Sequence, residues 1–220
     1  MYQALIFDLD GTLLDTITDI NKAINEALKE CGYPYSYNRE GTKTLIGDGA
    51  DTLIRRAIKE NSGDVDAFTR FKKVYMPLYL AYQNRDTRPF DGMLETLECL
   101  KKMGVSLFIV SNKPHHLVQD LIPRHFKGDT FKECYGNKEG DPVKPDPHLV
   151  NAIISKYGFD RKDVLYVGDS KPDILVAENA GVDCALCTWG YGNYLDPICQ
   201  KADYVIKEPK ELLGIAQNKR

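Results

Sequence analysis

The chain has 220 residues, 43% of them apolar, and a formal net charge of −3 with acids and bases interspersed. This composition is enough for a packed core and gives no electrostatic case for nucleic acid or an anionic membrane as partner. No apolar run approaches the length of a membrane span, and the first residues enter a strand pattern rather than a basic region and signal core, so the cytoplasm is the expected location.

Ala4 to Phe7 reads as a short buried strand that stops at Asp8-Leu9-Asp10-Gly11-Thr12. Residues two apart share a face of a strand, so Asp8 and Asp10 project together from its carboxyl end, where open α/β sheets bind ligands. Two carboxylates so close need a cation or a shared proton, and a hard divalent ion such as Mg2+ meets that need. Gly11 lets the chain turn beside such a ligand. A calcium loop fits poorly, because Leu9, Gly11, Leu13 and Leu14 break its ligand pattern. A strand end with two solvated carboxylates is the plain alternative.

From Thr16 the period becomes helical. Ile17, Ile20, Ile24, Ala27, Leu28 and Cys31 form one stripe before Gly32, and Ala50, Leu53, Ile54, Ala57 and Ile58 form another behind Gly47-Asp48-Gly49. A third helix is expected from Asp64 to about Gln83, with Phe68, Phe71, Val74, Tyr75 and Leu78 on one side and a kink or break at Pro77. So long a helical stretch exceeds what a strand-to-strand crossover needs. It predicts an inserted all-helical subdomain over residues 16–85 and an α/β core made of residues 1–15 and 86–220, with Asp15–Asp19 and Asn84–Arg88 as hinges.

After Pro89 the strand and helix rhythm returns. Met93, Leu94, Leu97 and Leu100 mark a helix closed by Gly104, and Val105 to Val110 is a second buried strand ending in Ser111-Asn112-Lys113 before a helix starting at Pro114. A hydroxyl and backbone amides there can hold phosphate oxygens, although turns and caps use the same residue types. Lys144 lies among Pro142, Pro145 and Pro147 before a helix from Leu149 to Tyr157, where a fixed charge suits phosphate and a solvated lysine is the ordinary alternative. Val164 to Val167 is a third strand, ending in Gly168-Asp169-Ser170 with Asp173 four residues after Asp169. Those two carboxylates share one side of the next helix's first turn, or simply cap it. Asp183–Thr188 and Tyr204–Ile206 are further strand-like runs. The six cysteines are scattered; Cys184 and Cys187 spell C-x-x-C, but a strand sends them to opposite faces, which argues against a zinc or redox pair.

Taken together, DLDGT (Asp8 to Thr12), VSNK (Val110 to Lys113), VKPDP (Val143 to Pro147) and VGDSKPD (Val167 to Asp173) resemble, in order, the four motifs of the haloacid dehalogenase superfamily. The helical insert after the first motif, with Ile46–Ala57, Arg88–Leu97 and Lys144–Ile153, is similar to its phosphoglycolate phosphatase-like branch. Pro172 and Val176 depart from the residues expected in the fourth motif's helix, without removing a functional group. The resemblance implies a Rossmann-like parallel sheet flanked by helices, with a helical cap, and Mg2+-dependent hydrolysis of a small phosphate monoester, 2-phosphoglycolate first among them. It implies Asp8 as nucleophile and Asp10 as acid and base. Ser111, the Asn112 amide and Lys144 would hold phosphoryl oxygens. The metal would lie on Asp8, the Asp10 carbonyl and Asp169, with Asp173 behind. The loop Gly47-Asp48-Gly49 would present amides of the following helix to a substrate carboxylate. Arg55 and Arg56 read instead as surface ion pairs with Asp51 and Glu60. The rival readings are a sugar phosphomutase, another small-phosphate hydrolase, or a silent binding protein of the same build. Oligomeric state is open.

Overall fold

The four-residue run Ala4–Phe7, apolar throughout, becomes the central strand β1 of a six-stranded sheet. The structure is a computed structural model and describes residues 1–59 and 65–219. After β1 come the two-residue strand β2 (Leu14–Asp15) and helices α1 (Ile17–Glu30), α2 (Arg39–Lys43), α3 (Ala50–Ala57) and α4 (Val65–Tyr82). Next are β3 (Arg88–Pro89), α5 (Met93–Lys102), β4 (Ser106–Pro114), α6 (His115–His125), β5 (Glu133–Asn137) and α7 (His148–Tyr157). The chain closes with β6 (Val164–Gly168), α8 (Lys171–Ala180), β7 (Asp183–Cys187), β8 (Tyr204–Ile206) and α9 (Glu211–Gln217).

The large sheet runs β5-β4-β1-β6-β7-β8, and each neighbouring pair is parallel. The chain builds outward from β1 to one side, then crosses to β6 and builds to the other. The crevice beyond the carboxyl ends of β1, β4 and β6 is therefore the switch point where such sheets take ligands. Strand alternation divides the core. Leu5, Phe7, Ile109 and Val167 pack with Met93, Leu97 and Leu212 on one face. Ala4, Ile6, Val110 and Tyr166 pack with Val150, Ile153 and Ile174 on the other. Cys187 belongs to the first face and Cys184 to the second, as a strand requires.

The helices between Ile17 and Tyr82 bury a separate cluster that includes Ile24, Leu28, Ile54, Phe71 and Tyr75. The two chain crossings that lead to and from this cluster lie side by side: Leu14 pairs with Pro89 and Asp15 with Arg88, antiparallel. Asp19, fully buried at the start of α1, binds the returning strand. Its carboxylate accepts the backbone N–H groups of Arg85, Asp86 and Thr87 and the Thr87 hydroxyl at 2.8–3.1 Å. Among the described residues no helix is long and apolar enough to cross a membrane.

Four local expectations change. The helix α4 runs unbroken through Pro77, because packing of Phe71, Tyr75 and Tyr79 outweighs one missing backbone donor; its expected start at Asp64 lies outside the described residues. Strand β4 does not stop at Val110 but continues to Pro114 through a register shift, because β5 offers Asn137 as a further partner. That edge strand, ECYGN, was not foreseen, since glutamate, glycine and asparagine carry little strand propensity. The short α2 was also missed; the Asn38 side chain accepts the Gly41 N–H at 2.7 Å and caps it.

Replacing Asp19 with alanine leaves three backbone amides without their acceptor, and we expect a loss of about 3 kcal/mol of unfolding free energy, read from a urea titration. A midpoint unchanged from wild type would show that the tie between the two crossings carries no stability.

Candidate active site

Strand β1 delivers Asp8 to the crevice, where its side chain is 11% exposed, and β6 delivers Asp169 beside it. Gly11 lies against Asp169 with φ +86°, and a Cβ there would come within 2.7 Å of Asp169 Oδ2, so both the turn and the contact require glycine. Asp173 follows in the first turn of α8, fully buried, and Pro172 is accommodated in that same turn. Carboxylate oxygens of Asp8, Asp169 and Asp173 all lie within 4.8 Å of one another.

One cation faces this group directly. The Lys144 ammonium, 3% exposed, stands 2.7 Å from Asp173 Oδ1 and 2.9 Å from Asp8 Oδ1. Burial acts to lower the Lys144 pKa, but the charges of Asp173 and Asp8 outweigh it and hold the ammonium well above its usual range. Burial pushes the Asp8 carboxyl up, opposed by Lys144 and reinforced by Asp173. Asp169 is raised by burial and by the charges of Asp173 and Asp8, against the Tyr191 N–H and Thr12 hydroxyl that it accepts.

The hydrogen bonds separate the three acids. Asp173 Oδ2 accepts from the Asp169 and Ser170 N–H groups and the Ser170 hydroxyl while Oδ1 takes Lys144, so its oxygens are occupied. Asp169 accepts Thr12 Oγ1 at 3.0 Å and the N–H groups of Tyr191 and Gly192 at 2.7 and 3.1 Å. Asp8 Oδ1 is buried and, although near the ammonium, has no aligned donor. Three buried carboxylates against one ammonium, with an orphaned oxygen and an all-oxygen donor set, fit a hard divalent cation of the Mg2+ type.

Ser111 and Asn112, 4% and 7% exposed, lie on the β4 extension beside this cluster. The Asn112 side chain is a brace: its Oδ1 accepts the Lys144 N–H at 2.7 Å, and its Nδ2 donates to the Gly47 carbonyl at 3.0 Å. It thereby joins the lysine loop to the Gly47-Asp48-Gly49 loop, which forms one wall of a cavity of about 420 Å³ together with Asp8, Asp10, Ser111 and Asp169. Arg55 and Arg56 do not line that cavity. Arg55 lies over the Phe68 ring and Asp51 pairs with Lys72, while Arg56 pairs with Asp48; the Glu60 expected beside Arg56 lies outside the described residues.

Sequence reasoning gave no role to several residues that the fold brings in. Lys113, also buried, puts its ammonium 3.1 and 3.3 Å from the two oxygens of Asp10 and against the Tyr79 hydroxyl from α4. The Tyr191 hydroxyl accepts the Thr16 and Ile17 N–H groups at 2.6 and 3.0 Å, while its own N–H donates to Asp169. Tyr191 thus links the acid cluster to the start of α1. Adjacency in the strand-end tripeptide was the only signal for Lys113; Tyr191, well over a hundred residues from Thr16 and Ile17, had none.

A family model described as Haloacid dehalogenase-like hydrolase matches residues 5–187. Among relatives, a Phosphoglycolate phosphatase of Aliivibrio fischeri is 35% identical over 218 residues, covering 96% of this chain and 95% of that one. A Phosphoglycolate phosphatase of Haemophilus influenzae is 35% identical over 221 residues, with 97% and 98% covered. A solved structure from Haemophilus somnus, described as a predicted phosphoglycolate phosphatase, superposes with a TM-score of 0.90 at 34% identity over 98% of both chains.

If the acid cluster is a cation site, Asp169→Asn relieves repulsion and should raise the thermal midpoint in chelator. Wild type should gain from Mg2+, by about 2.7 kcal/mol at a hundredfold excess over its Kd, and the variant should gain little. Equal Mg2+ increments in both proteins would contradict the assignment.

Proposed function

The chain belongs to the haloacid dehalogenase-like hydrolases, a phosphoric monoester hydrolase among them, and we propose that it hydrolyses 2-phosphoglycolate through a phosphorylated Asp8. The observation that carries this reading is the Asp8 carboxylate at the switch point, flanked by Lys144 and an acid cluster, with Asp10 lining the same small cavity. The named relatives, similar over nearly their whole length, support the choice of ester.

In this reading Asp8 attacks phosphorus as the bond from phosphorus to the ester oxygen breaks, and that oxygen takes a proton from Asp10. Asp10 then removes a proton from water as the water oxygen attacks the phosphorus of the aspartyl phosphate, releasing inorganic phosphate and restoring both carboxyl groups. Lys144, Ser111 and the Asn112 amide steady the phosphoryl oxygens. Asp8, the Asp10 carbonyl and Asp169 would hold Mg2+, which when bound neutralises phosphoryl charge, and Asp173 fixes Lys144 in place. The helical segment 16–85 serves as a cap on a core of residues 1–15 and 86–220. The Gly47-Asp48-Gly49 loop closes the cavity, and its Asp48 is neutralised by Arg56. We place the enzyme in the cytoplasm, where a reducing medium would keep its six free cysteines as thiols.

Assayed with Mg2+ against a panel of small phosphate esters, the protein is expected to give its highest kcat/KM with 2-phosphoglycolate and no turnover in chelator. A higher value for a sugar phosphate would overturn the substrate assignment. Asp10→Asn should lower kcat for this alkyl ester by about 100- to 10,000-fold, while the first-turnover release of p-nitrophenol from p-nitrophenyl phosphate, whose leaving group needs no proton, should be slowed much less. Equal losses in the rate of leaving-group release from the two esters would contradict the role of Asp10.

A further inference from the structure

The general acid and the metal cluster leave one buried charge unexplained. Lys113 lines the cavity with its side chain 1% exposed. Its ammonium has two partners, the Asp10 carboxylate from the core and the Tyr79 hydroxyl from the cap helix α4. Two of the three oxygens around its three N–H donors belong to one carboxylate, so one donor suffices for Asp10 and one for Tyr79, and the third can turn to a ligand. Tyr79 is itself held in place, stacked on Tyr75 at 5.5 Å and 11°, with Tyr75 stacked on Phe71. The other lysines lining the cavity are differently placed: Lys43 pairs with Glu40 at 2.9 Å and Lys171 is exposed at the start of α8. Lys144 is committed to Asp8 and Asp173 on the phosphoryl side.

Geometry decides what Lys113 can meet. Asp10 must reach the ester oxygen to protonate it, and the Lys113 ammonium is within 3.3 Å of both Asp10 oxygens. A substituent one carbon beyond that ester oxygen therefore lies within reach of the ammonium. We propose that Lys113, braced by Tyr79, is the counter-ion for a carboxylate one carbon from the phosphoester oxygen, so that the enzyme selects 2-phosphocarboxylates over neutral esters. This deepens, and rests on, the phosphatase reading above. The loop at Gly47-Asp48-Gly49 and the first turn of α3 contribute neutral backbone dipoles to the cavity, whereas Lys113 contributes the charge. Because Tyr79 belongs to the cap, the carboxylate pocket is complete only when cap and core meet.

The test compares 2-phosphoglycolate with 2-phosphoglycolamide, which has the same size and no charge at that carbon. The quantity read is the ratio of their kcat/KM values, because a merely structural defect lowers both rates together. Wild type is expected to prefer the acid by about 100-fold, the scale of a hydrogen bond between charged groups. In Lys113→Met the ratio should fall to within a few-fold of one, and Lys113→Arg should restore most of it. Tyr79→Phe keeps the ring stack and removes one hydroxyl, and it should lower the ratio several-fold, chiefly through the KM for the acid. This variant serves as the test should Lys113→Met fail to fold. A wild-type ratio near one, or a ratio that stays at the wild-type value in Lys113→Met and Tyr79→Phe, overturns the proposal while leaving the phosphatase reading intact. Absence of Mg2+-dependent hydrolysis of either ester by wild type would defeat both.

Discussion

The placement of three carboxylates around one buried ammonium is the constraint on which the rest of the structure depends. Asp8, Asp169 and Asp173 are held together by β1, β6 and the first turn of α8, and Lys144 alone among the described lysines reaches two of them. A cluster with that excess of negative charge is unfavourable in isolation, because burial raises the free energy of the ionised Asp8 and Asp169 carboxyls. The surrounding structure supplies fixed donors: the Ser170 hydroxyl and two backbone amides for Asp173, and Thr12, Tyr191 and Gly192 for Asp169. Asp8 keeps an oxygen without an aligned donor. An oxygen left free in this way is available to a cation or an electrophile.

The helical segment is coupled to this cluster at defined points. Tyr191 bonds Asp169 with its backbone and the start of α1 with its hydroxyl, so the entry to the helical segment is tied to an acid of the cluster. Asn112 joins the Lys144 backbone to the Gly47 carbonyl. Tyr79 meets Lys113 beside Asp10. Each tie links a helical-segment group to a residue on the strand-end side of the crevice. A shift of the helices would be felt at Asp10, Lys144 and Asp169 without altering the sheet, and such coupling is how a lid can govern access and specificity while the chemistry stays in place.

Much of this was legible in the residues themselves. The apolar runs at Ala4, Val105 and Val164 fall on strands because nothing but a buried sheet accommodates such short uninterrupted segments between turn signals, and the acids and hydroxyls that terminate them fall at the switch point by topology. Helical stripes from Ile17 onward were readable for the same reason. The β5 strand was not, because its pairing with β4 is made by the tertiary fold and its residues have no local preference for it. Lys113 escaped because its burial depends on β4 running past Val110 and on a tyrosine of a distant helix; locally it is a lysine after a strand. In the same way Tyr79 is one more aromatic on a core-facing stripe until the sheet beneath it is known. Residues placed by strand position were legible, and residues placed by meetings between the helical segment and the sheet were not.

The central claim is that Asp8 carries the phosphoryl group. Its most direct measurement is a rapid acid quench during turnover, reduction of the trapped acyl phosphate with borohydride, and mass spectrometry of the N-terminal peptide. The account predicts conversion of Asp8, and of no other acid, to homoserine, in wild type and, with p-nitrophenyl phosphate as the donor, in greater amount when water attack is slowed by Asp10→Asn. Turnover with Asp8 unmodified under conditions that trap an aspartyl phosphate standard would contradict it.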